Sequence, residues 1–326
     1  MNKTPKPRAN LSERDVDILR VLQNNSNLSI EEIARLARYR MHIVRRSIDK
    51  LLESKLITPY APIQTAALGF CEYQVSLKWN GHQAGELSTL VRKLVRHESV
   101  PLVAELAGEV EFTVWAKGTH DFGRVLDDLL AEVPAGVSKL VALRRWFLGL
   151  GVVLGEHRES PGILLSHSEA QARIDEVDHQ ILKAISALGT HNTREVSQAA
   201  GVPTSTVTYR LKSLKEAGVV FEPRYLVDVS KLGLTRFRVR LETPSTSPIR
   251  KKVIEAVRAT KEATLLCEVV GPWDYQLELA LQDPAAINRV LASLAHKIGH
   301  GIRRMEIVPH SGYHKVRNYP FHRFKG

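Results

Sequence analysis

Two sets of side chains in this chain combine recognition chemistry with helical spacing. Thr204, Ser205, Thr208 and Tyr209 place hydroxyls on one side of a helix, followed by the ammonium of Lys212. Arg38, Arg40, His42, Arg45 and Arg46, with Met41 among them, form a second set dominated by guanidinium groups. Hydroxyls donate and accept hydrogen bonds, and guanidinium forks match phosphate oxygens or the edge of guanine. This is the chemistry of holding a polyanion that carries hydrogen-bonding edges. Bond-breaking chemistry leaves no comparable trace: the sequence has no Gly-rich phosphate loop, nucleophile elbow or His-Glu-x-x-His pattern.

Helices must present these sets. Val207, Leu211 and Leu214 recur at i, i+4, i+7 and predict a buried face for a helix from about Thr204 to Ala217, ended by Gly218. A shorter helix is predicted from Thr193 to Ala200, after the polar start Thr190 to Thr193 and before the turn residue Gly201. Ile174, Val177, Ile181, Leu182 and Ile185 mark a helix before both. A short helix, a Gly turn and an amphipathic helix make a helix-turn-helix, whose second helix reaches base edges in the major groove. In the other set Arg38 stands where Gly201 stands, and Arg40 where Pro203 stands. A non-Gly residue is strained in the left-handed region, so either that turn has another geometry or that copy has drifted.

The comparison of the two sets is licensed by the sequence itself. Shifted by 163 residues, Leu11 to Leu19 fall on Ile174 to Leu182, and Ile33, Val44, Ile48, Leu51 and Leu56 fall on Val196, Val207, Leu211, Leu214 and Val219. Gly108 to Phe112 fall on Gly271 to Tyr275. The period is too long for a solenoid and implies a duplicated unit. In the second copy Val219 to Phe221 and Tyr225 to Val227 are short β runs that predict a wing or linking hairpin. Beyond them the pattern reads β-α-β-β-α-β: Phe237 to Leu241, Pro248 to Ala259, Thr264 to Val270, Trp273 to Leu281, Pro284 to Lys297 and Ile302 to Val308. The first copy repeats it with Tyr73 to Trp79, Glu86 to His97, Leu102 to Leu106, Glu111 to Ala116, Asp121 to Leu130 and Lys139 to Phe147.

The expected fold class is therefore α+β: two copies of a winged-type helix-turn-helix domain, each followed by a ferredoxin-like βαββαβ domain. The expected boundaries are a disordered basic arm at 1–10, helix-turn-helix units at 11–60 and 173–223, ferredoxin-like units at 61–148 and 224–310, a linker at 149–172 and a basic tail at 311–326. Within the linker, Gly151 to Leu154 are apolar enough to pack on something.

Bulk properties agree with a polyanionic partner. The 326 residues carry a formal net charge of +11, and 44% are hydrophobic, a globular composition. Cys71 and Cys267 lie in apolar, strand-like runs and read as small core residues of a reducing compartment, not as zinc ligands. The sequence lacks an apolar run near 18 residues, and Met1 to Asn10 lack the apolar stretch of a signal peptide, so the expected location is the cytoplasm with no membrane partner. His296 and His300 are four apart, as are His310 and His314, with His322 beyond. Gly299 and Gly301 end the first pair's helix and carboxylate partners are not evident, so neither a metal nor a cofactor is expected.

The second half resembles the Lrp/AsnC (feast/famine) family of transcription regulators along nearly its whole length. The residues that carry the resemblance are Ile174 to Leu182, Gly201-Val202-Pro203-Thr204-Ser205-Thr206-Val207, Arg210 to Val220, and Gly271-Pro272-Trp273-Asp274-Tyr275. The family usually has Ser where Pro203 stands, so its usual helix cap is missing. The first half resembles it less closely, with Arg38 and Lys55 in place of Gly201 and Gly218. A family member normally carries one such unit, and this chain looks like a covalent version of the family's dimer. The resemblance implies double-stranded DNA as partner and homo-oligomers through the ferredoxin-like domains, and the unlike outward faces of the two copies imply unlike half-sites. It also implies an amino-acid effector near Gly271, Asp274 and Tyr275, with Gly108 at the matching place in the first half. Asp274 would hold an ammonium group there, unless the segment is simply a tight turn. Two alternatives stand beside the non-enzymatic regulator. Some relatives of this layout are siroheme decarboxylases, which carry His and Arg at the wing and following strand, whereas Thr58 to Trp79 and Phe221 to Glu242 contain no His. The other is a ligand-sensing or assembly module that no longer binds DNA.

Overall fold

The computed structural model describes residues 11–24, 28–79, 84–131, 133, 137–154, 162–166, 172–244, 246–317 and 319. The arm expected at 1–10, His322 and half of the expected tail lie outside them.

The chain opens with α1 (Glu13–Asn24), α2 (Ile30–Ala37) and α3 (Met41–Glu53), closed around Ile18, Leu19, Leu22, Ile33, Val44, Ile48 and Leu51. Asp15 locks this unit. It trades hydrogen bonds with Ser12 at the start of α1 and accepts from Ser47 Oγ (2.8 Å) and Lys50 Nζ (2.7 Å) on α3. Then come β1 (Ile57–Tyr60), β2 (Cys71–Lys78), α4 (Ala84–Arg96), β3 (Leu102–Leu106), β4 (Glu109–Ala116), α5 (Thr119–Leu130), β5 (Ser138–Gly149) and β6 (Ile163–Ser166).

The same order of elements follows in the second half, without a described counterpart of β6. Here α6 (Glu176–Leu188), α7 (Thr193–Ala200) and α8 (Thr204–Glu216) enclose Ile181, Leu182, Ile185, Val196, Val207, Leu211 and Leu214. Asp178 repeats the role of Asp15, with Asp175 at the cap and Arg210 of α8 as its cation. After them stand β7 (Arg224–Val227), β8 (Thr235–Glu242), α9 (Ser247–Arg258), β9 (Ala263–Val270), β10 (Tyr275–Leu281), α10 (Ile287–Ile298) and β11 (Arg304–Val316).

Each half builds a four-stranded antiparallel sheet, β5-β2-β4-β3 and β11-β8-β10-β9. One face of each carries its own helices, over Val75, Leu94, Val103, Phe112 and Leu126 in the first half and Val239, Val257, Leu266, Leu277 and Leu294 in the second. The long strands β5 and β11 then run past their own sheets. β5 pairs with β9 from Leu143↔Val270 to Gly149↔Leu265, and β11 pairs with β3 from His310↔Leu106 to Val316↔Leu102. Eight strands thereby form a closed circuit in which each main strand has a neighbour on both sides, so the ladder is not left open to other chains.

The faces that the sheets turn toward each other are polar. Arg238 meets Glu111 at 3.0 Å, and Arg240 meets Glu109, Glu111 (3.2 Å) and Glu306 (3.4 Å) while lying 4.5 Å over the Trp273 ring. Gln74 donates to Gln276 at 2.6 Å, which donates to Glu111. Glu109 and Glu111 come from the first half and Arg238 and Arg240 from the second, which also supplies Glu306. Two copies of the first sheet would bring Glu109 and Glu111 against each other without Arg238 and Arg240, so the cross-sheet pairs favour the unlike pair.

The structure corrects several sequence expectations. Val219 to Phe221 do not form a hairpin with Tyr225 to Val227: Val220 makes a single bridge to Ile63, and β7 pairs antiparallel with β1 of the other half, Ile57↔Val227 to Tyr60↔Arg224. Equivalent strands satisfy each other's backbone groups, which a local turn would leave half-paired. Each three-helix unit also rests on the other half's connecting segment, the first on Leu232 and Val227, the second on Ala61, Ile63 and Phe70. The expected linker at 149–172 contains β6, paired with the end of β5, while Val152 and Leu154 pack on the α1 core. The expected tail begins inside β11, and Tyr319 is buried against α6 with its hydroxyl 2.6 Å from His179 Nδ1.

Candidate nucleic-acid interface and a basic cavity

The turn before α8 is built by short polar contacts. The Asn192 side chain accepts from the N–H groups of Arg194 and Glu195, starting α7. Gly201 ends it in the left-handed conformation, φ 66°. Ser197 Oγ then donates to the Val202 carbonyl (2.7 Å) and accepts from Thr204 Oγ1 (3.1 Å), fixing α8 against α7. Pro203 provides no side-chain cap, leaving the first amides of α8 open. Val207, Leu211 and Leu214 face inward, and Thr204, Ser205, Thr208, Tyr209 and Lys212 are all exposed. Tyr209 is 71% exposed, a large ring left in solvent at the centre of the face. Thr208 turns its hydroxyl to the Thr204 carbonyl, and Lys212 lies 4.0 Å from Glu216.

The first unit keeps the geometry with different chemistry. Arg38 takes φ 59°, ψ 38°, nearly the Gly201 backbone, and Lys55 takes φ 53° beside the 67° of Gly218. The turn is thus retained without its glycine, at a strain of roughly 1–2 kcal/mol per residue. Arg38, Arg40, His42, Arg45 and Arg46 are exposed, and among the described residues none of them forms an ion pair.

The effector candidates divide. Asp274 accepts the Thr243 N–H at 2.6 Å, and its backbone ties β9 to β8, so its carboxylate braces the turn. A Cβ on Gly271 would sit 2.8 Å from Ala142 Cβ and 2.9 Å from the Val141 carbonyl, so the close approach that demands glycine is made by β5. Both border a shallow cleft with Glu242, Pro272 and Arg303. Tyr275 is buried in the core under α9 and α10, away from that cleft, and Gly108 lies in the matching first-half turn at φ 75°. The histidines do not converge: His310 is buried on β11, His314 is exposed and bonded to Glu105, and no group of three potential metal ligands occurs among the described residues. Cys71 and Cys267 are free thiols in strands, and burial pushes the Cys267 thiol up to about 11. Among the described residues there is no helix long and apolar enough to cross a membrane.

A cavity of about 710 Å³ opens between the sheets, α1 and the β1–β7 ribbon. Arg144, Arg145, Arg224, Arg236 and Arg238 reach it, with Trp115, Trp146 and Phe147. Among the described residues that line it there is no histidine. Burial works against the Arg238 charge, but Glu111, Tyr313 and Glu278 outweigh it and hold the pKa above the usual arginine range. For Arg224, burial acts alone and lowers the pKa. Sequence spacing did not single out these arginines. Their trace was the alternation Arg236, Arg238, Arg240, which reads like a solvated strand face.

Two histidines set an acid limit. Among the described residues His191 and His310 find no hydrogen-bond partner at either ring nitrogen, and burial pushes both down to about 4. His310 also faces Arg236 and Arg238, partly offset by Glu278. Both folded values lie below the ordinary 6.5, so the unfolded chain takes up protons first as pH falls. Stability should be full above pH about 7 and decline by a few kcal/mol between about 6.5 and 4. Urea midpoints across that window measure it, and His310→Leu should flatten the decline by about half.

Residues 174–220, which make up the second three-helix unit, match the family described as winged helix-turn-helix DNA-binding. An uncharacterized HTH-type transcriptional regulator of Pyrococcus horikoshii is 26% identical over 129 residues, spanning 38% of this chain and 85% of its own. One from Pyrococcus abyssi is 27% identical over 144 residues, 44% of this chain and 89% of its own. Among solved structures, the siroheme decarboxylase NirDL in complex with an iron-uroporphyrin III analogue superposes over 93% of both chains with TM-score 0.60 at 13% identity, a likeness of fold.

Proposed function

We propose that the chain is a sequence-specific, DNA-binding transcription regulator of the Lrp/AsnC type, made by tandem duplication. Its two helix-turn-helix units read unlike half-sites. The observation that carries this is the exposed α8 face, Thr204 to Lys212, in a segment that matches a DNA-binding family. The first unit adds phosphate-directed charge through Arg38, Arg40, Arg45 and Arg46, and the retained turn at Arg38 argues against a degenerate module. Each sheet is covered by its sibling on one face and by its helices on the other. Homo-oligomers of whole chains would therefore use the helix-covered outer surfaces. Selection of bound duplexes from a random pool tests the proposal. It should return two dissimilar half-sites spaced by about one helical turn or a multiple. Failure to retain any duplex in dilute buffer would refute it.

A tetrapyrrole-handling enzyme is the second reading, favoured by the fold likeness to NirDL and by the arginine-lined cavity. Visible absorbance acquired on incubation with siroheme, followed by loss of carboxyl groups, would establish it over the first.

A further inference from the structure

Seven arginines line the cavity: Arg20, Arg144, Arg145, Arg224, Arg236, Arg238 and Arg317. Five are matched by carboxylates, Arg20 by Asp17 (3.1 Å), Arg144 by Glu72, Arg145 by Glu268 (3.2 Å), Arg236 by Glu278 (3.6 Å) and Arg238 by Glu111 (3.0 Å). Arg224 and Arg317 have none among the described residues. Tyr60 stands opposite Arg224 in the β1–β7 register, so the two side chains project to one side. Both reach the cavity, and the Tyr60 hydroxyl has no hydrogen-bond partner among the described residues. A desolvated guanidinium and a phenol left without acceptors, in a cavity also lined by Trp115 and Phe147, describe an unfilled acceptor position next to aromatic side chains.

We propose that this cavity binds an aromatic organic anion, its charged group held by Arg224, Arg317 and the Tyr60 hydroxyl and its ring against Trp115 and Phe147. The volume of about 710 Å³ suits a ligand of drug size and exceeds the need of a single amino acid. The site differs from the Gly271–Asp274 cleft in both place and charge. β1 follows α3 and β7 follows α8, so the ligand sits on the ribbon that joins the two reading units. That consequence rests on the regulator reading, but binding itself does not.

The test uses 8-anilinonaphthalene-1-sulfonate, and N-phenyl-1-naphthylamine as its uncharged counterpart, titrated into the full chain without DNA. Energy transfer from tryptophan reports occupancy. The sulfonate should bind saturably. Arg224→Gln with Arg317→Gln should weaken it about tenfold or more, because a charge-assisted hydrogen bond is lost at each residue. The uncharged probe should bind the variant as it binds the parent. The charge-retaining pair Arg224→Lys with Arg317→Lys should keep most of the affinity, which separates loss of charge from misfolding. Equal sulfonate affinity in parent and Gln variant, absence of saturable binding, or equal loss of both probes would overturn the proposal. DNA retention measured separately decides the regulator reading and leaves this result standing.

Discussion

Glu111→Gln should cost the fold about 3–5 kcal/mol, the largest effect of any single substitution considered. Glu111 is 1% exposed and accepts from Arg238 (3.0 Å), Arg240 (3.2 Å) and Gln276 (3.2 Å). Burial pushes its pKa up, and Arg238 with Arg240 pull it below the usual carboxylate range, so it is charged in the folded chain. The neutral amide leaves Arg238 buried without the carboxylate it pairs with, keeping only the Tyr313 hydroxyl at 3.4 Å and the less direct charge of Glu278. Arg240 retains Glu109 and Glu306 and suffers less. Urea unfolding followed by tryptophan fluorescence measures the loss. Glu111→Leu combined with Arg238→Met should recover most of it, because replacing both members of a buried pair is far less costly than stranding one. A loss below about 1 kcal/mol in Glu111→Gln would mean that water reaches the layer and that it does not select the unlike sheets.

The same layer marks the limit of what was legible in the sequence. The helix faces were legible because their periods are local: Val207, Leu211 and Leu214 define α8 to within a residue, and Gly201 stops α7 where the spacing said it would. Strand existence was legible for the same reason, as in Leu102–Leu106. Strand partners were not. The second part of β5 pairs with residues more than a hundred positions away, and β11 gains its extra residues from β3 of the other half, so neither extension leaves a local signal. The period-two alternation of β8 marked the strand but not its surroundings, a closed layer of matched charge into which Arg238 and Arg240 point. Gly271 was legible as part of a turn motif, but what demands glycine there, the approach of the chain's own β5, was not. For the candidate interface, both helices and their outward residues were legible. The retention of the left-handed turn at Arg38 was not, since the residue itself disfavours the conformation that tertiary packing imposes.

Replacing Arg45 and Arg46 by alanine should reduce the steepness of salt dependence in duplex binding by up to about two, if both neutralise phosphates, since each neutralised phosphate contributes about 0.9 to the slope of log affinity against log salt. Both side chains are exposed on α3 and unpaired among the described residues, so their loss perturbs neither the core nor an ion pair. Affinity should fall by about one to two orders of magnitude in dilute buffer, with little change in preference among sequences. Tyr209→Ala on α8 should behave oppositely. It removes an exposed uncharged group beside Ser205 and Thr208, so the salt slope should hold while discrimination between the selected site and random duplex falls by about 1–3 kcal/mol. Fluorescence anisotropy at four or five salt concentrations, with a selected and a scrambled duplex, separates the two outcomes. An unchanged slope in the arginine variant would remove the first unit from the DNA interface and leave one reading helix per chain. A flattened slope in the tyrosine variant would mean that α8 contributes position and not sequence.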